Sequence, residues 1–202
     1  MYPPHLSWLR IPGSAPDPAA APPGTDLTWA YGWPAGQKLG ADLAGLVDCN
    51  GLRVADLGCG RGHNGFSALA LGASAVAFAD ASALALDFVT AVAAANDLAP
   101  RCRTHLHQWG EPIPGAPFDL ILGGDILYRP DWFARLLGTL AASVAARGQA
   151  LLSDPRHALD AELPRLASAA GLTWETTRQA HGYTLVRLRL AMQSDAIHTL
   201  PP

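Results

Sequence analysis

The stretch Val54-Ala55-Asp56-Leu57-Gly58-Cys59-Gly60-Arg61-Gly62 constrains this chain most: a short apolar run breaks into three glycines, and the next apolar run closes on an acid, Asp80. Buried strands of a parallel sheet read as short continuous apolar runs. Glycines directly after such a strand let a ligand approach the backbone with no Cβ in the way. An acid at the end of the following strand, about twenty residues on, is where nucleotide folds receive ribose hydroxyls. The spacing here is G-x-G-x-G, whereas the dinucleotide fingerprint G-x-G-x-x-G would need glycine where His63 stands. The pattern therefore points to a nucleoside-like ligand and away from a pyrophosphate cofactor such as NAD.

The rest of the chain alternates in the same way. A helix over 35–47 precedes strands over 52–57, 75–79, 104–107, 118–122 and 149–153, with helices over 64–71, 82–96, 131–146 and 160–170 between or after them. Ser82 is placed to cap the third helix. Segments 174–178 and 184–190 form a closing hairpin across His181-Gly182. This specifies an α/β fold: a doubly wound, mostly parallel seven-stranded Rossmann-like sheet with an antiparallel strand in a C-terminal hairpin. The expected division is a proline-rich arm over 1–28 that packs in part through Trp8 and Leu9, one domain over 29–190, and a tail over 191–202.

Composition narrows the function classes. With 202 residues, half of them hydrophobic, the chain supports one well-buried core. The net charge is −3, and Lys38 is the only lysine, so no basic block of the kind nucleic-acid binding needs is present. Cys49, Cys59 and Cys102 are odd in number and show no C-x-x-C spacing, which fits a reducing, cytoplasmic compartment. The first two dozen residues have no basic segment followed by a long apolar one, and no apolar run approaches the roughly 18 residues of a membrane span. His105 and His107 are spaced to share a strand face, yet no third ligand follows at suitable spacing, so no metal is expected.

At this point the residues resemble the class I, seven-strand S-adenosylmethionine-dependent methyltransferases, whose glycine loop and second-strand acid have this arrangement. Phe118-Asp119-Leu120-Ile121-Leu122-Gly123-Gly124-Asp125-Ile126-Leu127-Tyr128 resembles the DxxY segment of the protein lysine methyltransferases of that class. Trp33-Pro34-Ala35-Gly36-Gln37 resembles their tryptophan-containing entry segment, and Trp109 stands where a family tryptophan precedes the DxxY strand. Ser153-Asp154-Pro155-Arg156-His157 resembles a Gly-Asp-Pro-Gly-Arg stretch of the branch that modifies the β subunit of electron transfer flavoprotein, with three positions different.

The resemblance implies a sheet whose order reverses between strands one and four, so the glycine loop and Asp125-Tyr128 face one crevice. The implied cofactor is S-adenosyl-L-methionine, bound by Trp33, Asp56, Gly58, Gly60, Asp80 and Trp109. Asp125 and Tyr128 are the implied catalytic pair. Asp56 could instead cap loop amides, Trp33, Trp109 and Leu127 could instead cover the core, and Asp154 could open a turn. The acceptor is a protein with an accessible lysine or a small amine, no nucleic-acid or membrane partner is expected, and the chain is a monomer or weak dimer. A non-catalytic cofactor-binding module and a base amino-group methyltransferase are the competing readings. The latter lacks its Asn/Asp-Pro-Pro-Tyr pattern after strand four.

Overall fold

Each central apolar run divides its residues between two packed layers. In β1 (Arg53–Leu57) Val54 joins one core while Ala55 and Leu57 join the other. In β4 (Phe118–Gly124) the split is Leu120 and Leu122 against Ile121, and in β5 (Val144–Asp154) it is Leu151 against Leu152. A strand buried on both faces needs apolar side chains at consecutive positions, hence the unbroken runs. One layer is built from α1 (Pro34–Leu46), α2 (His63–Ala70) and α3 (Ala83–Ala95); the other from α4 (Phe133–Ser143) and α5 (Glu162–Ala169).

With β2 (Ala75–Asp80), β3 (Cys102–Leu106), β6 (Leu172–Arg178) and β7 (Thr184–Leu190), the sheet runs β3-β2-β1-β4-β5-β7-β6. The first five strands are parallel, and β7 lies antiparallel between β5 and β6. The expected α/β architecture is thus present, with the order reversing between β1 and β4 and a crevice beyond their carboxyl ends. The computed structural model describes residues 4–13, 26–155 and 162–191. Among them no helix is long and apolar enough to cross a membrane.

Two expectations are corrected. The helix expected over 131–146 ends at Ser143, and β5 starts at Val144 instead of 149. Val144 pairs with Phe118, the register then shifts, and Leu120 pairs with Gln149. Gly148 permits this irregularity, since a Cβ there would lie 2.8 Å from the carbonyl oxygens of Phe118 and Asp119. Sheet pairing outweighs the helix propensity of Ala145 and Ala146. In the arm, Leu6 and Leu9 enter the core beside α1–α3, whereas Trp8 is 46% exposed. Asn96, past the end of α3, clamps this segment: it accepts from the Arg10 amide and donates to the Arg10 carbonyl, both at 2.8 Å.

The crossover over 107–117 contains no helix and is held by side chains. The amides of Gly110 and Ile113 donate to Thr139 Oγ1 and Ser143 Oγ of α4, each at 2.8 Å. Those hydroxyls are buried and sit on successive turns of α4, so they fix the loop that carries Trp109. The N-terminal contribution is testable in urea. Leu6→Ala is expected to lower unfolding stability by about 2–5 kcal/mol, as for a fully buried leucine. Trp8→Ala is expected to stay within about 0.5 kcal/mol of the parent.

Candidate active site

Three strand ends and one helix start meet in the crevice. They enclose a cavity of about 560 Å³, within the range of about 300–1,000 Å³ usual for small-ligand sites. Leu57, Gly58 and Gly60 line it from the β1 side, Ala79 to Ser82 from β2, and Gly124 to Ile126 with Tyr128 and Arg129 from β4. Asp26, Thr28, Trp29 and Trp33 close it from the N-terminal side, and His107, Gln108 and Trp109 from the segment after β3. Of the residues singled out from sequence, Trp33, Gly58, Gly60, Asp80, Trp109, Asp125 and Tyr128 meet here. Asp56 does not line the cavity: it is fully buried and accepts from the Gly65 amide at 2.8 Å in the first turn of α2.

The glycine loop works differently from a phosphate cradle. Gly58 and Cys59 amides donate to the Ala79 carbonyl at 2.8 and 3.2 Å, Gly60 N donates to Asp80 Oδ2 at 2.8 Å, and Gly62 N to the Cys59 carbonyl at 2.7 Å. These four amides are committed to the protein, which leaves no cluster of them to receive a pyrophosphate. Gly58 and Gly60 have φ of +63° and +48°, which side chains rarely adopt. A Cβ on Gly58 would lie 2.9 Å from Ile126 Cγ2, and one on Gly60 would lie 2.9 Å from the Trp29 carbonyl. The glycines are therefore needed for backbone conformation and for packing of the cavity walls.

Asp80 spans the loop and the next helix. Oδ2 accepts from Gly60 and Oδ1 from the Ser82 amide at 2.9 Å. An ionised carboxylate offers about four lone-pair sites, so acceptor capacity remains for hydroxyls of a ligand. Burial raises its pKa, against the lowering effect of the Gly60 and Ser82 amides. Ser82 caps α3 as expected, Oγ accepting from the Ala85 amide at 3.4 Å. Trp29 is buried against Phe88, ring centroids 5.8 Å apart, and its indole N–H has no hydrogen-bond partner among the described residues.

Asp125 lies just past β4 with φ +62°, a conformation that aspartate tolerates better than most residues. Its amide donates to the Ser153 carbonyl and hydroxyl, both at 3.2 Å, and its Oδ2 accepts from the amides of Ala35 and Gly36 at 3.0 and 3.4 Å. Those amides open α1, whose N-cap residue Trp33 offers no side-chain cap. A carboxylate supplied from far along the chain takes that place and meets the positive end of the helix. Close approach makes this possible: a Cβ on Gly124 would fall 2.7 Å from Gly36 Cα. Trp33 and Tyr128 stand at the rim, 48% and 58% exposed, and Trp109 meets Tyr128 edge-on at 6.4 Å.

The sequence comparisons agree with this geometry. The profile of a family described as lysine methyltransferase matches residues 34–162. The chain belongs to the lysine methyltransferase family. It is 35% identical over 156 residues to the protein N-lysine methyltransferase METTL21A of Danio rerio, covering 71% of this chain and 70% of that protein. It is also 30% identical over 181 residues to the ribosomal protein L11 methyltransferase of Synechococcus sp. (strain RCC307), covering 86% of this chain and 57% of that one. Among solved structures, the O-methyltransferase NcsB1 from neocarzinostatin biosynthesis, in complex with S-adenosylmethionine, has the same fold, with a TM-score of 0.64 at 16% identity over 77% of this chain and 55% of that one. The cofactor of this lysine methyltransferase is S-adenosylmethionine.

The cavity fits that group. A sulfonium is cationic, and Asp26, Asp80 and Asp125 all line the space. A neighbouring positive charge favours the ionised form of a buried acid such as Asp80. Sequence reasoning missed Asp26, Trp29, Gln108, Arg129 and Trp132, which lie in loops and short 3-10 turns outside the motifs it used, and assigned His107 only a metal-ligand alternative. His107 lies just beyond β3, buried at the cavity wall. Ser153 and Asp154 are buried at the end of β5, while Arg156 and His157 of the branch-specific stretch lie outside the described residues.

Asp56 supplies a pH test of the loop. Burial pushes its carboxyl up to about 7, against the hydrogen bond from Gly65 and with a smaller contribution from the Asp80 charge. An unfolded aspartate ionises near 3.9. Between about pH 4 and 7 the folded state thus holds a proton that the unfolded chain has lost, so this group's contribution to stability falls as pH rises. Asp56→Asn still accepts from Gly65 but cannot ionise. It is expected to flatten the decline of urea-unfolding stability across that window, whereas equal slopes in parent and variant would locate the titration elsewhere.

Proposed function

We propose that the chain is a protein-lysine N-methyltransferase in which Asp125 and Tyr128 serve the acceptor and Gly58, Gly60, Asp80, Trp33 and Trp109 form the cofactor site. The single observation that carries this reading is that Asp80 and Asp125, at the ends of different strands, line one cavity whose mouth is walled by Trp33, Trp109 and Tyr128. The METTL21A relative is itself named as a protein N-lysine methyltransferase, which supports a protein acceptor. An open, aromatic mouth suits a lysine side chain entering from a large partner, since its butyl stem packs on rings while the amine reaches inward. The three described cysteines are buried and free, as suits a reducing, cytoplasmic compartment, and the enzyme acts as a monomer or weak dimer.

The chemistry asks the protein mainly for alignment. When bound, S-adenosylmethionine supplies an electrophilic methyl group on a positively charged sulfur. Asp80 accepts from ribose hydroxyls, using the lone pairs that Gly60 and Ser82 leave. Asp125 draws the ammonium inward and fixes the orientation of its nitrogen, while its Oδ2 keeps α1 and therefore Trp33 in place. The rings of Trp33, Trp109 and Tyr128 exclude water around the acceptor. A lysine ammonium, with a pKa near 10.4, must lose a proton before its nitrogen can attack. That proton goes to water at the mouth or to Asp125, and the pH profiles of the Asp125 variants separate the two routes.

Labelled methyl transfer from S-adenosylmethionine into cell lysate tests the reading. The label is expected to be released by protease, resist nuclease and reside in methylated lysine; label confined to acid-soluble small molecules would reassign the acceptor. For the cofactor side, Asp80→Ala is expected to lose roughly 1.5–3 kcal/mol of S-adenosylmethionine binding by calorimetry, as for hydrogen bonds to a charged group. For the acceptor side, Asp125→Asn retains an acceptor for the α1 amides but not the charge, so its loss should appear largely as a raised KM with cofactor affinity close to the parent. Asp125→Ala also removes the cap, worth about 0.5–2 kcal/mol of stability. Parent-level transfer by both Asp125 variants would make the acid purely structural.

A further inference from the structure

The charge pattern inverts at the mouth of the cavity. The interior carries the half-buried Asp80 and the buried Asp125, whereas on the Tyr128 side of the rim two guanidinium groups bear on one indole. Arg129 lies 4.8 Å from the Trp132 ring centroid and Arg135 lies 5.2 Å from it. Trp132 stands edge-on to Trp109 at 6.1 Å, and Trp109 in turn to Tyr128, so an unbroken row of rings fixes the arginines relative to the acceptor end.

These arginines sit against local preference. Arg135 occupies the first turn of α4, which carries no acid and where the helix end is positive. Among the described residues its interaction is with the Trp132 ring, and it is exposed. Arg129 is paired with Asp131 at 3.0 Å, so the trio of Arg129, Asp131 and Arg135 retains one net positive charge at the rim. Arg135 is thus an exposed cation near a positive helix end with no acid in that turn, and the net charge of the trio is open to an anion arriving from outside.

Building on the protein-lysine reading, we propose that the Arg129–Trp132–Arg135 stack receives an acidic side chain flanking the target lysine. The acceptor is thereby a lysine in an acidic segment of a protein: the lysine enters toward the interior acids, and its acidic neighbour meets the arginines on the rim. Both halves of the match are complementary in sign, and reversing either places like charges together. The arginines act on recognition, so their effect falls on KM.

The test uses three peptides with one lysine each, identical except for glutamate, alanine or arginine at the two positions on either side of it. Labelled methyl transfer is measured with the full chain and with Arg135→Ala and Arg135→Glu. The parent is expected to prefer the glutamate peptide over the alanine peptide by about fivefold in kcat/KM, the scale of one partly exposed ion pair, and less so in high salt. Arg135→Ala should weaken that preference and Arg135→Glu should reverse it toward the arginine peptide, both with unchanged S-adenosylmethionine affinity. Equal use of all three peptides by the parent would overturn this inference and leave the lysine reading standing. Methylation of none of them by a preparation that labels lysine in lysate protein would overturn this inference alone, and absence of lysine label from the lysate as well would overturn the lysine reading with it.

Discussion

The contact between the Asp125 carboxylate and the first amides of α1 is the joint on which the site depends. It brings together two segments ninety residues apart, the entry tryptophan before α1 and the acid after β4. Three local choices converge on it: Pro34 starts the helix without needing an N–H, Gly36 and Gly124 let the backbones touch, and Asp125 accepts a left-handed backbone. An acid at this place would be explained by helix capping alone. Lining the ligand cavity as well, it couples the position of α1 to the geometry of the cavity wall.

The acids at the ends of β1 and β2 divide their tasks by burial. Asp56 is wholly enclosed and secures the start of α2, while Asp80, less enclosed, ties the glycine loop to α3 and keeps acceptor capacity toward the cavity. Burial raises the pKa of both, and Asp80, the one of the two that lines the cavity, has an ionised form that is under-solvated until a cation arrives. The site is in this sense organised for a positively charged ligand before one binds. On the Tyr128 side the rim carries arginines instead, which on the proposed reading separates capture of a flanking side chain from orientation of the reacting nitrogen.

Much of this was legible in the chain itself. Continuous apolar runs, helix-period segments between them and the hairpin signal at His181-Gly182 determined the α/β class, because burial on both sheet faces demands those patterns and few others satisfy them. The glycine loop, Asp80 and the DxxY segment were likewise readable, since each follows a strand whose end position is implied by its own sequence, and Trp33 and Trp109 were readable from their resemblance to family positions beside those motifs. The boundary of α4 was not, because Val144 is taken from the helix by Phe118, a partner more than twenty residues away. Nor was the anchoring of the arm by Leu6 in place of Trp8, which depends on how the turn over Pro4–Leu6 packs against α2.

What tertiary structure alone decided is the division of labour among like residues. Sequence places Asp56, Asp80 and Asp125 near strand ends but says nothing of which amides their oxygens meet, and that depends on helices supplied by other parts of the chain. The same holds for Trp29 and Trp132, which reach the cavity from short 3-10 turns, and for His107, whose strand spacing did not say that its side chain meets the cavity. Local sequence sets where a strand or helix is possible, through propensity and burial pattern. The direction a side chain faces at a convergence of several elements is set by packing between distant segments, and no single segment encodes it.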